Sequence, residues 1–158
     1  MATSRASPRS PTSSLAYPER VIRLGTLGGY AFSGPRLLGG WSPPARPGVY
    51  AILYRPDPDA QRYAVAYVGH ADDLAAEGFP FRHRRAACWT ARAGSKWKVH
   101  VAFLEVPGGT RAHRQAIAAE LVSQYRPSCN AERFDPAVRA EWVGRGSGTG
   151  SISTPSPE

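Results

Sequence analysis

The sequence predicts an α/β protein of the α+β kind: a small three-stranded antiparallel sheet flanked by helices, in the order β-β-α-β-α. Three observations carry that expectation. Two runs rich in β-branched and aromatic residues flank a Pro/Asp turn, a period-two run follows a helical stretch, and an apolar stripe of helical period closes the region. Pro47 leads into the first strand, Gly48–Tyr54 (GVYAILY), whose residue types suit a pleated, half-buried surface. Pro56-Asp57-Pro58-Asp59 reads as the turn. Residues 63–68 (YAVAYV) form the second strand and stop at Gly69, so the two runs predict a hairpin. A helix is expected over residues 82–92. The third strand is expected over residues 97–106, with Trp97, Val99, Val101 and Phe103 on its buried side. Pro107-Gly108-Gly109 then turns the chain. Thr110 caps a second helix that runs to about Tyr125, where Ile117, Leu121 and Tyr125 recur every four residues. Pro127 ends it.

At 158 residues the chain is one domain's worth. Residues 1–16 are Ser, Thr, Pro and Arg without apolar period, too polar to offset their ordering entropy, and read as a disordered tail. Residues 17–46 are too apolar for disorder yet broken by Gly and Pro; they read as an irregular lead-in, with room for a short strand pair, packed on the core. Residues 47–131 form the domain proper. Residues 132–158 are a C-terminal extension ending in a Gly/Ser/Thr/Pro tail. No apolar run approaches the ~20 residues of a membrane span, and no secretory segment follows Met1, so the expected location is cytoplasmic. Cys88 and Cys129 are too few for a disulfide framework and fit no zinc spacing; they read as buried free thiols.

The net charge is +8, with eighteen Arg against two Lys. Arg forks onto phosphate oxygens, which points to a polyanionic partner. The densest cationic stretch holds Arg82, Arg84, Arg85, Arg92, Lys96 and Lys98, with no acid from Gly78 to Leu104 and with Trp89 and Trp97 interleaved. Such a stretch can track a phosphate backbone beside aromatic stacking surfaces, although most charge runs are only solvated faces.

Two triplets carry a resemblance. Gly48-Val49-Tyr50 opens the first strand, and Tyr67-Val68-Gly69 closes the second. With the ending Tyr125-Arg126-Pro127-Ser128-Cys129-Asn130, they resemble the GIY-YIG nuclease superfamily over residues 47–131, with Val for Ile in both triplets. The resemblance implies a three-stranded antiparallel sheet and a phosphodiester-cleaving site that uses a divalent metal, Mg²⁺ or Mn²⁺. It assigns Tyr50, Tyr67 and His83 to the site, with Gly48, Gly69 and Asn130 as its structural residues. The chemistry matches these types: a base takes a proton from water, a cation stabilises charge on phosphate, and a carboxylate holds a hard metal ion.

Two positions depart from the family. Eight residues after Gly69, where it places an Arg, stands Glu77; where it places a Glu on the last helix stands Ala118. Glu120, two positions on, points away around the helix. The expected function is therefore a nucleic-acid-binding domain, DNA being the expected partner, with impaired catalysis and no metal requirement. An active endonuclease is the alternative, with Glu77 as substitute metal ligand and Arg82, Arg84 or Arg85 as the cation. A second alternative is a protein-interaction module that meets its partner through the apolar lead-in around Tyr30 to Trp41. His70 could line the same cleft but reads more simply as a solvated loop residue; His100 and His113 read as surface.

Overall fold

The computed structural model describes residues 20–26, 29–130, 142–143 and 152–153. The expected N-terminal tail, and most of the expected C-terminal extension, lie outside the described residues. Strands β1 (Val21–Leu24), β2 (Tyr30–Leu37), β3 (Gly48–Tyr54), β4 (Tyr63–Ala71) and β5 (His100–Glu105) form an antiparallel, curled sheet in the order β1-β2-β5-β3-β4. Two short strands, β6 (Trp142–Val143) and β7 (Ile152–Ser153), continue it beyond β4. Helices α1 (Ala86–Ala93) and α2 (Arg111–Tyr125) follow β4 and β5.

The three-stranded sheet and the order β-β-α-β-α expected from the sequence are thus both corrected: the lead-in supplies two further strands, β1 and β2, ahead of β3, and β2 adds to the free edge of β5. Gly34 and Pro35 argue against a strand when the segment is read alone. The register between β2 and β5 shifts between Ser33 and Arg36, and the break in pairing accommodates both residues. Gly34 has φ +123°, and a Cβ there would sit 2.8 Å from the Val101 carbonyl oxygen, so the close approach of β2 to β5 needs glycine.

Each face of the sheet carries its own core and its own helix. Val49, Ala51 and Leu53 of β3 face Ile117, Ala118, Leu121 and Tyr125 of α2, together with Ile22, Leu24 and Phe32 from the lead-in. Tyr50, Ile52 and Tyr54 face Trp89 of α1, with Leu38 and Trp41. A helix on each side explains why all seven residues of β3 are buried. Most large apolar side chains of the lead-in go into these cores; Val21 and Leu37 remain exposed.

Three local expectations also shift. The helix expected over residues 82–92 begins only at Ala86. Arg82, His83, Arg84 and Arg85 lie in the preceding turns, where the Arg85 N–H donates to His83 Nδ1 (2.9 Å), a side-chain bond that competes with helix formation. Trp97 is not on the sheet. It sits in a 3₁₀ turn (Lys96–Lys98), held by the Ser95 hydroxyl accepting from the Trp97 N–H at 3.1 Å, and is 68% exposed. Cys88 and Cys129 are not free thiols: they form a disulfide with Cα atoms 5.8 Å apart. Their separation of 41 residues concealed the pair, because only the packing of α1 beside the 3₁₀ turn Ser128–Asn130 brings them together. By contrast, β3 has the expected bounds, and Thr110 Oγ1 caps α2 by accepting from the His113 N–H (3.0 Å).

Candidate functional site

A cleft of about 440 Å³ opens beside β4. Tyr50, Tyr67, Gly69, His70, Glu77, His83, Arg84 and Asn130 line it from the sheet side and its loops, and Gln115, Ala118, Ala119 and Val122 line it from α2. The two tyrosines arrive there by different routes. Tyr50 projects from the middle strand directly opposite Gly69. A Cβ on residue 69 would lie 2.5 Å from both Cζ and Oη of Tyr50 and 2.9 Å from the Tyr67 ring, so the second triplet ends in glycine because the Tyr50 ring crosses that spot.

Tyr67 owes its direction to a β-bulge. Ile52 pairs with Tyr67 but Leu53 pairs with Val65, which leaves Ala66 unmatched. Side chains alternate along a regular strand, so Ala66 and Tyr67 ought to face opposite ways. The extra residue instead turns Tyr67 to the Tyr50 side, where the ring centroids are 6.0 Å apart.

The Tyr50 hydroxyl is the hub of the site. It donates to Glu77 Oε1 at 3.0 Å and lies 3.0 Å from His83 Nε2. Because His83 Nδ1 accepts the Arg85 N–H, a neutral imidazole carries its hydrogen on Nε2 and donates it to the Tyr50 oxygen. The chain therefore runs from His83 through Tyr50 to Glu77. Burial, then the neighbouring Tyr67 and Glu77, holds the Tyr50 phenol well above its ordinary pKa, so it remains a proton donor across the working range. Burial, then the cations of Arg84 and Arg85, pushes His83 down to about 4. His83 is thus neutral at pH 7, and its 3.9 Å approach to Glu77 is not an ion pair there.

This depression has a measurable consequence. An unfolded His titrates near 6.5, so between about pH 6.5 and 4 the unfolded chain binds a proton that the folded chain refuses. His83 contributes its stability in full above that window and loses it as the pH falls through it, by up to about 3 kcal/mol. Urea unfolding of the wild type and of His83→Gln at pH 7.5 and pH 5 should show the wild type losing more. Parallel losses would show that His83 is not held neutral by folding.

Asn130 grips the edge of the cleft at β4. Its Oδ1 accepts the Val68 N–H and its Nδ2 donates to the Val68 carbonyl, both at 2.8 Å. The clamp holds the strand directly between Tyr67 and Gly69. Gly48 stands at the start of β3, paired with Ala71 and Glu105, outside the cleft lining. Among the basic residues, Arg84 lines the cleft, and Arg82, two residues before it in the chain, is exposed and outside the lining. Arg85 is half-buried, Arg92 donates to the Tyr54 hydroxyl at 2.7 Å, and Lys96 and Lys98 are exposed around Trp97.

The structure turns Glu77 inward against Tyr50 and puts the Ala118 methyl where the resemblance called for a carboxylate. Glu120 faces away and accepts the Tyr30 hydroxyl at 2.7 Å. Sequence reading missed Gln115, Ala119 and Val122. Their signal was present: with Ala118 they recur at helical spacing, one residue out of step with the apolar stripe. Among the described residues, no group of three or more His, Cys, Asp or Glu side chains is arranged to hold a metal. Neither a family model, nor a curated protein, nor a solved structure matches the chain.

Proposed function

We propose that this is a GIY-YIG-like domain whose cleft receives a nucleic-acid phosphodiester, with weakened hydrolytic chemistry. The observation that supports it most is the pair of phenols from neighbouring strands in one cleft, next to His83 and Arg84. The Tyr67 hydroxyl and the Arg84 guanidinium suit phosphate oxygens, while Tyr50, whose hydrogen goes to Glu77, builds the wall beside them. Weak chemistry follows from Ala118, which supplies no ligand, and from Glu77, whose negative charge opposes a phosphate where a cation would assist it. DNA is the proposed partner.

Labelled DNA titrated at two salt concentrations tests this reading. Binding is expected in the range of about 10⁻⁴–10⁻⁶ M and to weaken steeply with salt. Arg84→Glu should weaken it further, by about tenfold. Absence of binding at low salt removes the proposal.

A second reading, hydrolysis, has one observation in its favour: Glu77 and Arg84 share the cleft with both tyrosines. Mg²⁺ is commonly held by one or two carboxylates together with substrate phosphates and waters, so one inward carboxylate fits the ion. Glu77 would hold Mg²⁺ or Mn²⁺, which would supply Lewis acidity to the phosphate, while Arg84 would face the negative charge on the phosphate's non-bridging oxygens. Water would attack phosphorus and the ester P–O bond would break, leaving a phosphate monoester and a hydroxyl. This reading predicts plasmid nicking that EDTA abolishes and Tyr67→Phe suppresses; plasmid left intact with either metal removes it.

None of the described helices is long and apolar enough to cross a membrane. We propose a cytoplasmic setting on the strength of the nucleic-acid partner. The reducing poise there acts against the Cys88–Cys129 bond, so both redox forms of the domain are relevant.

A further inference from the structure

The exposed Trp97 has no role in either core. An indole 68% exposed on a small domain costs burial energy that the fold does not recover, and its neighbours suggest what covers it. Lys96 and Lys98 flank it in the 3₁₀ turn, and both are exposed. The Lys96 ammonium lies 5.1 Å from the Trp97 ring centre and 5.6 Å from that of Phe81. Phe81 and the Trp97 ring edge both border Gly39, where a Cβ would lie 3.5 Å from Trp97 and 3.8 Å from Phe81. The turn itself is braced by the Ser95 hydroxyl, so the indole is presented on a held backbone.

Phe81 ties this shelf to a segment of the cleft lining. Phe81 and Arg82 lead directly to His83 and Arg84 in the cleft lining, and Lys96 lies over Phe81. Exposed Arg82, which follows Phe81 in the chain, and Lys96, which lies over the Phe81 ring, thus link a loop of the cleft to an exposed aromatic between two lysines. No acid lies between Gly78 and Leu104. Alternation of cations with an open aromatic face suits a backbone whose bases are unstacked: the cations take phosphates, and the indole takes a base on its π-face. Base pairs in the interior of a duplex have both faces stacked and present only edges, so there the indole cannot stack without unpairing.

We infer that the strip formed by Arg82, Lys96, Trp97 and Lys98 is a docking surface for single-stranded nucleic acid, with one base stacked on Trp97. The inference rests on the proposed nucleic-acid function of the cleft and narrows its substrate to a strand that is unpaired where it leaves the cleft.

The test uses the full chain and anisotropy of labelled single-stranded DNA, single-stranded RNA of the same sequence and blunt duplex DNA. The variants are Trp97→Ala, Trp97→Phe and Arg84→Glu, with far-UV circular dichroism as the check on folding. Trp97→Ala should weaken single-strand binding by about tenfold while leaving duplex binding within about twofold, and Trp97→Phe should restore part of the loss. Arg84→Glu should weaken both forms. Tryptophan fluorescence should fall on single-strand addition in the wild type and fall less in Trp97→Ala. Single-strand affinity unchanged by Trp97→Ala, alongside duplex binding that still responds to Arg84→Glu, overturns the shelf and leaves the cleft reading standing. A wild type that binds no nucleic acid overturns both, and capture of a protein by the same surface in place of nucleic acid would count against the shelf as well. A 2′-hydroxyl preference shows as a difference between the DNA and RNA arms; either strand satisfies the inference if Trp97→Ala weakens it.

Discussion

Reduction of the Cys88–Cys129 bond should lower the unfolding free energy by about 4 kcal/mol, the loop-entropy value for a separation of 41 residues. That is a large share of the ~5–15 kcal/mol that a domain commonly has. The effect falls where the cleft is assembled. Cys88 belongs to α1, whose Trp89 is fully buried with its ring 4.7 Å from that of His83 and 5.6 Å from that of Tyr67. Cys129 belongs to the turn that carries Asn130 and its clamp on Val68. The bond therefore joins the helix that backs the tyrosines to the turn that holds their strand. Urea melts with and without reductant, together with Cys88→Ser/Cys129→Ser, give the comparison. The reduced wild type and the double variant should unfold at the same lower midpoint. Equal midpoints for oxidised and reduced wild type would mean that the bond does not hold the two elements.

Gly69→Ala should cost about 1–3 kcal/mol and also dismantle the cleft. The added methyl would lie 2.5 Å from the Tyr50 hydroxyl carbon and oxygen and 2.9 Å from the Tyr67 ring. β4 cannot easily yield, because it pairs with β3 along its length and Asn130 pins it one residue away. Tyr50 is packed edge-on against Phe79, with ring centres 4.8 Å apart, so it has little room to withdraw. The Tyr50 ring must leave its place, and its bonds to Glu77 and His83 go with it. The variant should bind DNA more weakly than Tyr50→Phe, which removes only the hydroxyl. It should also raise the His83 pKa as the imidazole gains access to water. A Gly69→Ala protein with wild-type stability and wild-type DNA affinity would show that the two tyrosines do not form the site.

The hairpin and the capped second helix were legible for local reasons. β3 has its apolar run and its turn beside it, and Thr110 stands directly before a helical stripe. The triplet glycines were legible as a motif, but the reason for one of them was not: Gly69 is needed because of a ring on the neighbouring strand. Trp97 shows the opposite case. Period two assigned it to the core, yet a single capping bond from Ser95 curls the backbone one turn before the strand begins.

By itself, the sequence determined which segments are strand or helix wherever period, turn and cap agree within a few residues, and it determined that two tyrosines and a basic stretch lie near one another along the chain. Tertiary structure alone decided the rest. The pairing of β2 with β5 spans more than sixty residues and overrides the local signal of Gly34 and Pro35. The unmatched Ala66 turns Tyr67 into the cleft, the approach of α1 to the last turn makes the disulfide, and the inward turn of Glu77 gives Tyr50 its acceptor. The physical reason is the same in each case. Backbone preference is set by neighbours in sequence, whereas register, bulges, cross-links and side-chain acceptors are set by whatever surface packs opposite, and that surface exists only once the chain has folded.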